Sequence, residues 1–176
     1  MKNKLFYLQI AGFIFTCIFG TLLHFLYDLT EGNIIAAIFS GVNESTWEHM
    51  KLMFYPMATF SIIQYKFIGS EFPNYWSTKL IGLFLSLVLV PIFYYTYTGI
   101  FGVNADWFNI AIFFISAALA YFAEYKLFKS GKGFDINTKT AIIFLAAISL
   151  LFTANTFSPP EIPLFQDPIT KMYGIN

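Results

Sequence analysis

Apolar residues do not alternate with polar ones along this chain; they run together in long blocks. Leu5 to Leu23 is the first, punctuated by Asp28-Leu29-Thr30-Glu31-Gly32-Asn33. Further blocks cover about 50–68, 80–98, 107–126 and 140–157. Roughly 20 apolar residues in helical form cross a hydrocarbon core. The pattern therefore predicts five transmembrane helices, the first over about 5–27. Backbone polar groups in lipid must be satisfied within their own segment, so the blocks are helices in an all-α polytopic membrane bundle. Ile34 to Phe39 is apolar but too short to span, and predicts a re-entrant or interfacial segment at about 33–42. Pro56 and Pro91 fall inside the second and third blocks and should kink them.

Lys2 and Lys4 before the first block have the look of a secretory signal. No small-residue cleavage site follows, so the block reads as an uncleaved first span. Residues 1–157 make up the bundle. The stretch 158–176 holds four prolines and cannot be helical throughout. It also carries Leu164, Phe165 and Tyr173, which a solvated tail would lack, so it is expected to pack across the outer mouth of the bundle.

The basic residues fix an orientation. All ten are lysine, and with the N-terminus in the cytoplasm eight of them fall on the cytoplasmic side, leaving only Lys51 and Lys171 outside. Positive charge is retained inside. This places the C-terminus outside, in a cell-membrane protein. Composition agrees: the chain is 57% hydrophobic and 11% charged, where a soluble domain carries about 25% charged residues. The lipid bilayer is thus the first partner. Formal net charge is zero, and no basic patch offers a surface to nucleic acid. A homo-oligomer or a membrane partner stays open. Cys17, the one cysteine, lies in an apolar run and reads as a small packed hydrophobe.

Candidate chemistry collects at the outer side. His24 and Asp28 are four residues apart and share a helix face, which Thr16 and Gly20 extend inward. The stretch Asn43-Glu44-Ser45-Thr46-Trp47-Glu48-His49 brings two carboxylates, the second histidine and a tryptophan together. Glu44 and Glu48 share a face if the helix begins early enough. If the two regions converge, His24, Asp28, Glu44, Glu48 and His49 line one polar site, suited to a cation, a proton or a small polar solute, most simply for transport. Such a set can also ligate a divalent metal with an open position, which leaves a metal-dependent intramembrane hydrolase as an alternative. No cofactor is assigned beyond that metal, and no H-E-x-x-H, H-x-x-x-H or cysteine ligand set supports it. A third reading is a non-catalytic partner or assembly protein, in which the polar knot only holds the bundle together.

Each group also has a plainer role. Ser45-Thr46-Trp47-Glu48 has the form of a capping box. Trp47 fits a packing residue or an interfacial anchor. Lys51 can pair with Glu48 three residues away or snorkel. Asn104-Ala105-Asp106 reads as the cap of the fourth span. Glu124, near the inner end of that span, is a secondary candidate: a helix-end carboxylate paired with lysine, or a proton-accepting inner gate.

The segments Gly20-Thr-Leu-Leu-His24-Phe-Leu-Tyr-Asp28 and Val42-Asn-Glu-Ser-Thr-Trp-Glu-His49-Met-Lys51 carry a resemblance. They are similar to the H-F-x-Y-D and V-N-E-S-x-W-E-H-x-K motifs of a family of small bacterial multi-pass membrane proteins of unknown function. The resemblance implies the fold and a membrane location, and brings no activity with it.

Overall fold

The computed structural model of the protein describes residues 2–175. Among these residues six helices follow one another: α1 (Lys2–Leu29), α2 (Ile34–Phe39), α3 (Thr46–Ile68), α4 (Tyr75–Phe101), α5 (Asp106–Ser130) and α6 (Thr138–Phe157). Short 3-10 turns lie at Gly69–Glu71 and Pro163–Phe165. Among the described residues, the extended pairing is one isolated bridge between Gln166 and Tyr173 in the tail.

Local chemistry sets the boundaries. α1 stops where Gly32 takes a left-handed φ of 77° and its N–H returns to Tyr27 O at 3.0 Å. Asn33 then caps α2, its Oδ1 accepting from Ile35 N at 2.8 Å and Ala36 N at 3.3 Å. The segment read as re-entrant or interfacial is thus a single short helix. Pro56 and Pro91 lie inside unbroken helices. The long helices extend past their expected bounds because polar end residues such as Lys79 join the helix.

α1, α4, α5 and α6 are long and apolar enough to cross a membrane. Only 17–33% of the residues in their most apolar windows are buried, so these helices turn broad apolar faces outward. α3, expected as a fifth span, is not among them. The reason is its place at the centre. It packs against α1 and α4, and touches α2, α5 and α6 as well. Met53, Met57 and Ile68 are fully buried on it, and so are Lys51 and Gln64. Residues 46–58 of α3 include none that is exposed, so its polar side chains there meet protein and not lipid, while Ile62, Ile63 and Phe67 in its second half stay exposed.

The helices alternate in direction and define two ends. At one, Lys4 Nζ reaches Phe67 O at 2.7 Å and Glu71 Oε1 at 2.5 Å, and Asn74 Nδ2 reaches Lys132 O at 2.8 Å. This is the lysine-rich end. At the other lie the close of α1, the start of α3, the α4–α5 turn and the tail.

Candidate functional site

The start of α3 organises this second end. Asn43 Oδ1 accepts from Ser45 N at 2.9 Å, and Ser45 Oγ accepts from Glu48 N at 3.4 Å. Ser45 is therefore the N-cap and the helix begins at Thr46. The return half of a capping box does not form, because the Glu48 carboxylate accepts from Val42 N instead, at 3.2 Å.

That boundary separates the two glutamates. A shared face would need the helix to start before Glu44, and it does not. Glu44 stays outside the helix and turns to the histidines: His24 Nε2 lies 3.7 Å from its Oε1, and His49 Nε2 lies 3.5 Å from its Oε2. The two imidazole centroids are 5.5 Å apart. Glu48 points to the other side of α3 and pairs with Lys51 at 2.5 Å. Asp28 is exposed on α1 and has no place in the wall formed by these three side chains. Of the five residues read as one outer site, the structure thus brings together His24, Glu44 and His49.

The tautomer of His49 follows from its partner. Its Nδ1 is 3.0 Å from the carbonyl oxygen of Ser45, which only accepts, so Nδ1 carries the hydrogen. In the neutral ring Nε2 is then an acceptor, 3.5 Å from a carboxylate oxygen that also only accepts, and a proton on the ring or another cation at this place resolves the conflict. Among the described residues, no group of three or more His, Cys, Asp or Glu side chains is arranged to hold a metal ion.

These groups open into a cavity of about 510 Å³ between α1, α3 and α5. That is within the range of about 300–1,000 Å³ that small organic ligands occupy. Asp106 and Asn109 of α5 add polar groups to its wall; Phe25, Phe113 and Phe114 give it aromatic sides. Gly20 and Leu52 line it as well. Pro56 has no N–H to give to the Leu52 carbonyl four residues back. That carbonyl faces Gly20, where an added Cβ would lie 3.0 Å from it.

The tail closes over the same end. Ile169 lines the cavity, and Asn43 Nδ2 holds Gly174 O at 2.9 Å. Trp47 stacks between Phe152 and Phe165, at 4.7 Å from each. It packs the tail onto α6, a role different from that of an interfacial anchor. Asn104 does not cap α5. The cap position is Ala105, and Asn104 Oδ1 accepts from Asn109 Nδ2 at 2.8 Å.

Several participants escape sequence reasoning. Asp106 and Asn109 look like helix-start residues, and only their spacing of three in the otherwise apolar stretch 106–115 marks a common face. Lys79 looks like a snorkelling lysine; it is buried and pairs with Glu124 at 2.5 Å. Glu124 is therefore inside the bundle, remote from the cavity.

Neither a curated protein nor a solved structure matches the chain. The model of a family of unknown function, DUF6512, matches residues 1–175, and the chain belongs to that family.

Proposed function

We propose that this is a five-span membrane protein that binds a small, positively charged polar solute in the cavity at its extracytoplasmic end and carries it across the bilayer. Four membrane-capable helices that all contact α3 support the membrane reading. The lysine distribution supports a cytoplasmic N-terminus and an outward-facing cavity.

The observation that carries the reading is the placing of both imidazoles beside the Glu44 carboxylate, His24 Nε2 at 3.7 Å and His49 Nε2 at 3.5 Å. Around them the wall supplies the Asp106 carboxylate and phenyl rings. Carboxylates neutralise a cation, and aromatic faces stabilise an organic one.

The test is uptake of methylammonium into proteoliposomes. The wild-type chain is expected to raise uptake above protein-free vesicles. Glu44→Gln and His24→Ala should each reduce it while leaving the thermal midpoint unchanged. Variants that keep uptake and lose stability would make the polar knot a structural device only.

A further inference from the structure

Two ammonium–carboxylate pairs are buried in the bundle, and they differ in how fully they are satisfied. Lys51 Nζ finds three acceptors for its three N–H groups: Glu48 Oε2 at 2.5 Å, Ala37 O at 2.8 Å and Thr156 Oγ1 at 2.8 Å. Glu48 Oε1 has the Thr156 hydroxyl at 3.0 Å, and Oε2 has Val42 N at 3.2 Å. Every polar atom of that pair has a partner within reach, the Thr156 hydroxyl being shared between Glu48 Oε1 and Phe152 O at 3.0 Å each.

The second pair is not saturated. Lys79 Nζ meets Glu124 Oε2 at 2.5 Å, with the two side chains 2% and 0% exposed. Glu124 Oε1 has no hydrogen-bond partner. Neither polar atom of Gln9 on α1 has one, and neither does either polar atom of Gln64 on α3. Gln9 lies beside the Glu124 carboxyl, near enough to interact but not in hydrogen-bond geometry. Gln64 is brought to the same depth by the antiparallel register of α1 on α3. Gly20 faces Leu52, Gly12 faces Phe60 and Lys4 reaches Phe67, which sets Gln9 level with Gln64. Gly82 of α4 completes the enclosure, since any Cβ there would strike the Glu124 carboxyl.

Four helices thus hold buried polar side chains at one level of the bundle, and five of their atoms are left without a hydrogen-bond partner. Buried polar atoms are almost always satisfied, and a concentration of orphans marks a place that something occupies. Two amides can both donate and accept, so they can hold a water. The free carboxylate oxygen accepts only, and a proton on it would turn it into a donor for that water.

We propose that Gln9, Gln64, Lys79 and Glu124 form a proton-binding site in the lysine-rich half of the bundle, separate from the outer cavity. Glu124 Oε1 takes up one proton from the medium through a water held by the two glutamines. An O–H bond forms at Oε1, Lys79 keeps its ammonium form, and the charge of the pair rises from zero to plus one. Besides Lys79, the titratable neighbours are Tyr75 from α4 and Tyr121 on α5, with Cys17 of α1 beyond Tyr121 and Tyr65 of α3 against Tyr75. Tyr121 also leads toward the cavity. Its ring is 5.0 Å from Lys79 Nζ, and its hydroxyl is 2.9 Å from Thr16 Oγ1, one turn from Gly20 in the cavity wall.

Infrared difference spectroscopy of the full chain in lipid nanodiscs tests this. Acidification should raise a carboxylic-acid C=O band that is absent in Glu124→Gln. Glu44→Gln, the cavity variant, should keep that band, so failure at one site is distinguishable from failure at the other. If Glu124→Gln does not fold, the double variant Lys79→Gln/Glu124→Gln removes both charges and should fold without the band. Gly82→Ala, which crowds the carboxyl, should shift the band. A band that survives in the Glu124 variants, or disappears in Glu44→Gln, overturns the assignment.

Discussion

Glu44 and Glu48 are four positions apart and face opposite sides of the chain, one 3.7 Å from His24 and the other 2.5 Å from Lys51. Whether a glutamate here is a ligand group or a structural one depends on which side of the Ser45 cap it falls. The two should respond differently to the same substitution. Glu48→Gln strips the buried Lys51 of its counter-charge, and breaking such a pair costs about 3–5 kcal/mol. Replacing both partners with methionine should recover most of that loss, since an apolar pair avoids the uncompensated charge. Glu44→Gln should leave the midpoint within about 0.5 kcal/mol of wild type, and lower methylammonium uptake. Thermal unfolding in detergent compares the three. Equal destabilisation by Glu44→Gln and Glu48→Gln would put both residues in the framework.

Glycine sets how closely α1 approaches its neighbours. A Cβ at Gly12 would lie 2.5 Å from Tyr121 Cε1 and 2.7 Å from Phe60 Cε1. At Gly20 it would lie 2.5 Å from Phe113 Cζ and 3.0 Å from Leu52 O. Gly12→Ala and Gly20→Ala should each cost about 1–3 kcal/mol as rings or helices move apart. Gly20→Ala should also cut uptake, because Gly20 and Phe113 both line the cavity. Gly99, on α4, has nothing within 4 Å of its ideal Cβ. Gly99→Ala should therefore gain about 0.5–1 kcal/mol from helix propensity alone. Loss of stability in Gly99→Ala would contradict this picture of the packing.

The helical class was legible because lipid-facing segments must be uniformly apolar: Leu5 to Leu23 admits little else. Ser45 as a cap was legible for an equally local reason, its hydroxyl followed three residues later by glutamate. The centrality of α3 was not. Hydropathy reports how well a helix suits lipid, and Lys51 and Gln64 only make sense once neighbours enclose them. Nor does local pattern show that Lys79 meets Glu124, 45 positions on. That contact depends on the register of α4 against α5, which many side chains decide together. The gathering of His24 with Glu44 and His49 is of this second kind. Composition made those residues candidates, and packing selected them over Asp28 and Glu48.

Trp47 packs between Phe152 of α6 and Phe165 of the tail, its ring tilted 43° to the first and 39° to the second. Trp47→Ala should release the tail, since deleting a packed aromatic costs about 3–5 kcal/mol. Limited trypsin digestion reads the release through cleavage after Lys171. The site should be slow in wild type and fast in both Trp47→Ala and Phe165→Ala. A tail cut at equal rates in all three would mean that Asn43 and its bond to Gly174, at 2.9 Å, hold the strap without the aromatic packing.

Tyr97 ties the α4–α5 turn to the cavity wall through a single oxygen. The hydroxyl lies 2.5 Å from Asn109 Oδ1 and 3.1 Å from Asn104 Oδ1, and it accepts from Ala105 N at 3.2 Å. One proton cannot serve both amides, so the shorter contact takes it and Asn104 relies on Asn109 Nδ2 at 2.8 Å. Tyr97→Phe keeps the ring stacked on Phe108 at 4.4 Å and removes only the oxygen. Leaving Ala105 N and Asn109 without that partner should cost about 1–3 kcal/mol. Because Asn109 lines the cavity, its side chain would lose its fixed orientation and uptake should fall as well. Asn104→Ala leaves the Tyr97 hydroxyl on Asn109, and should lower stability less than Tyr97→Phe. The reverse order would move the hub of this turn from the tyrosine to Asn104.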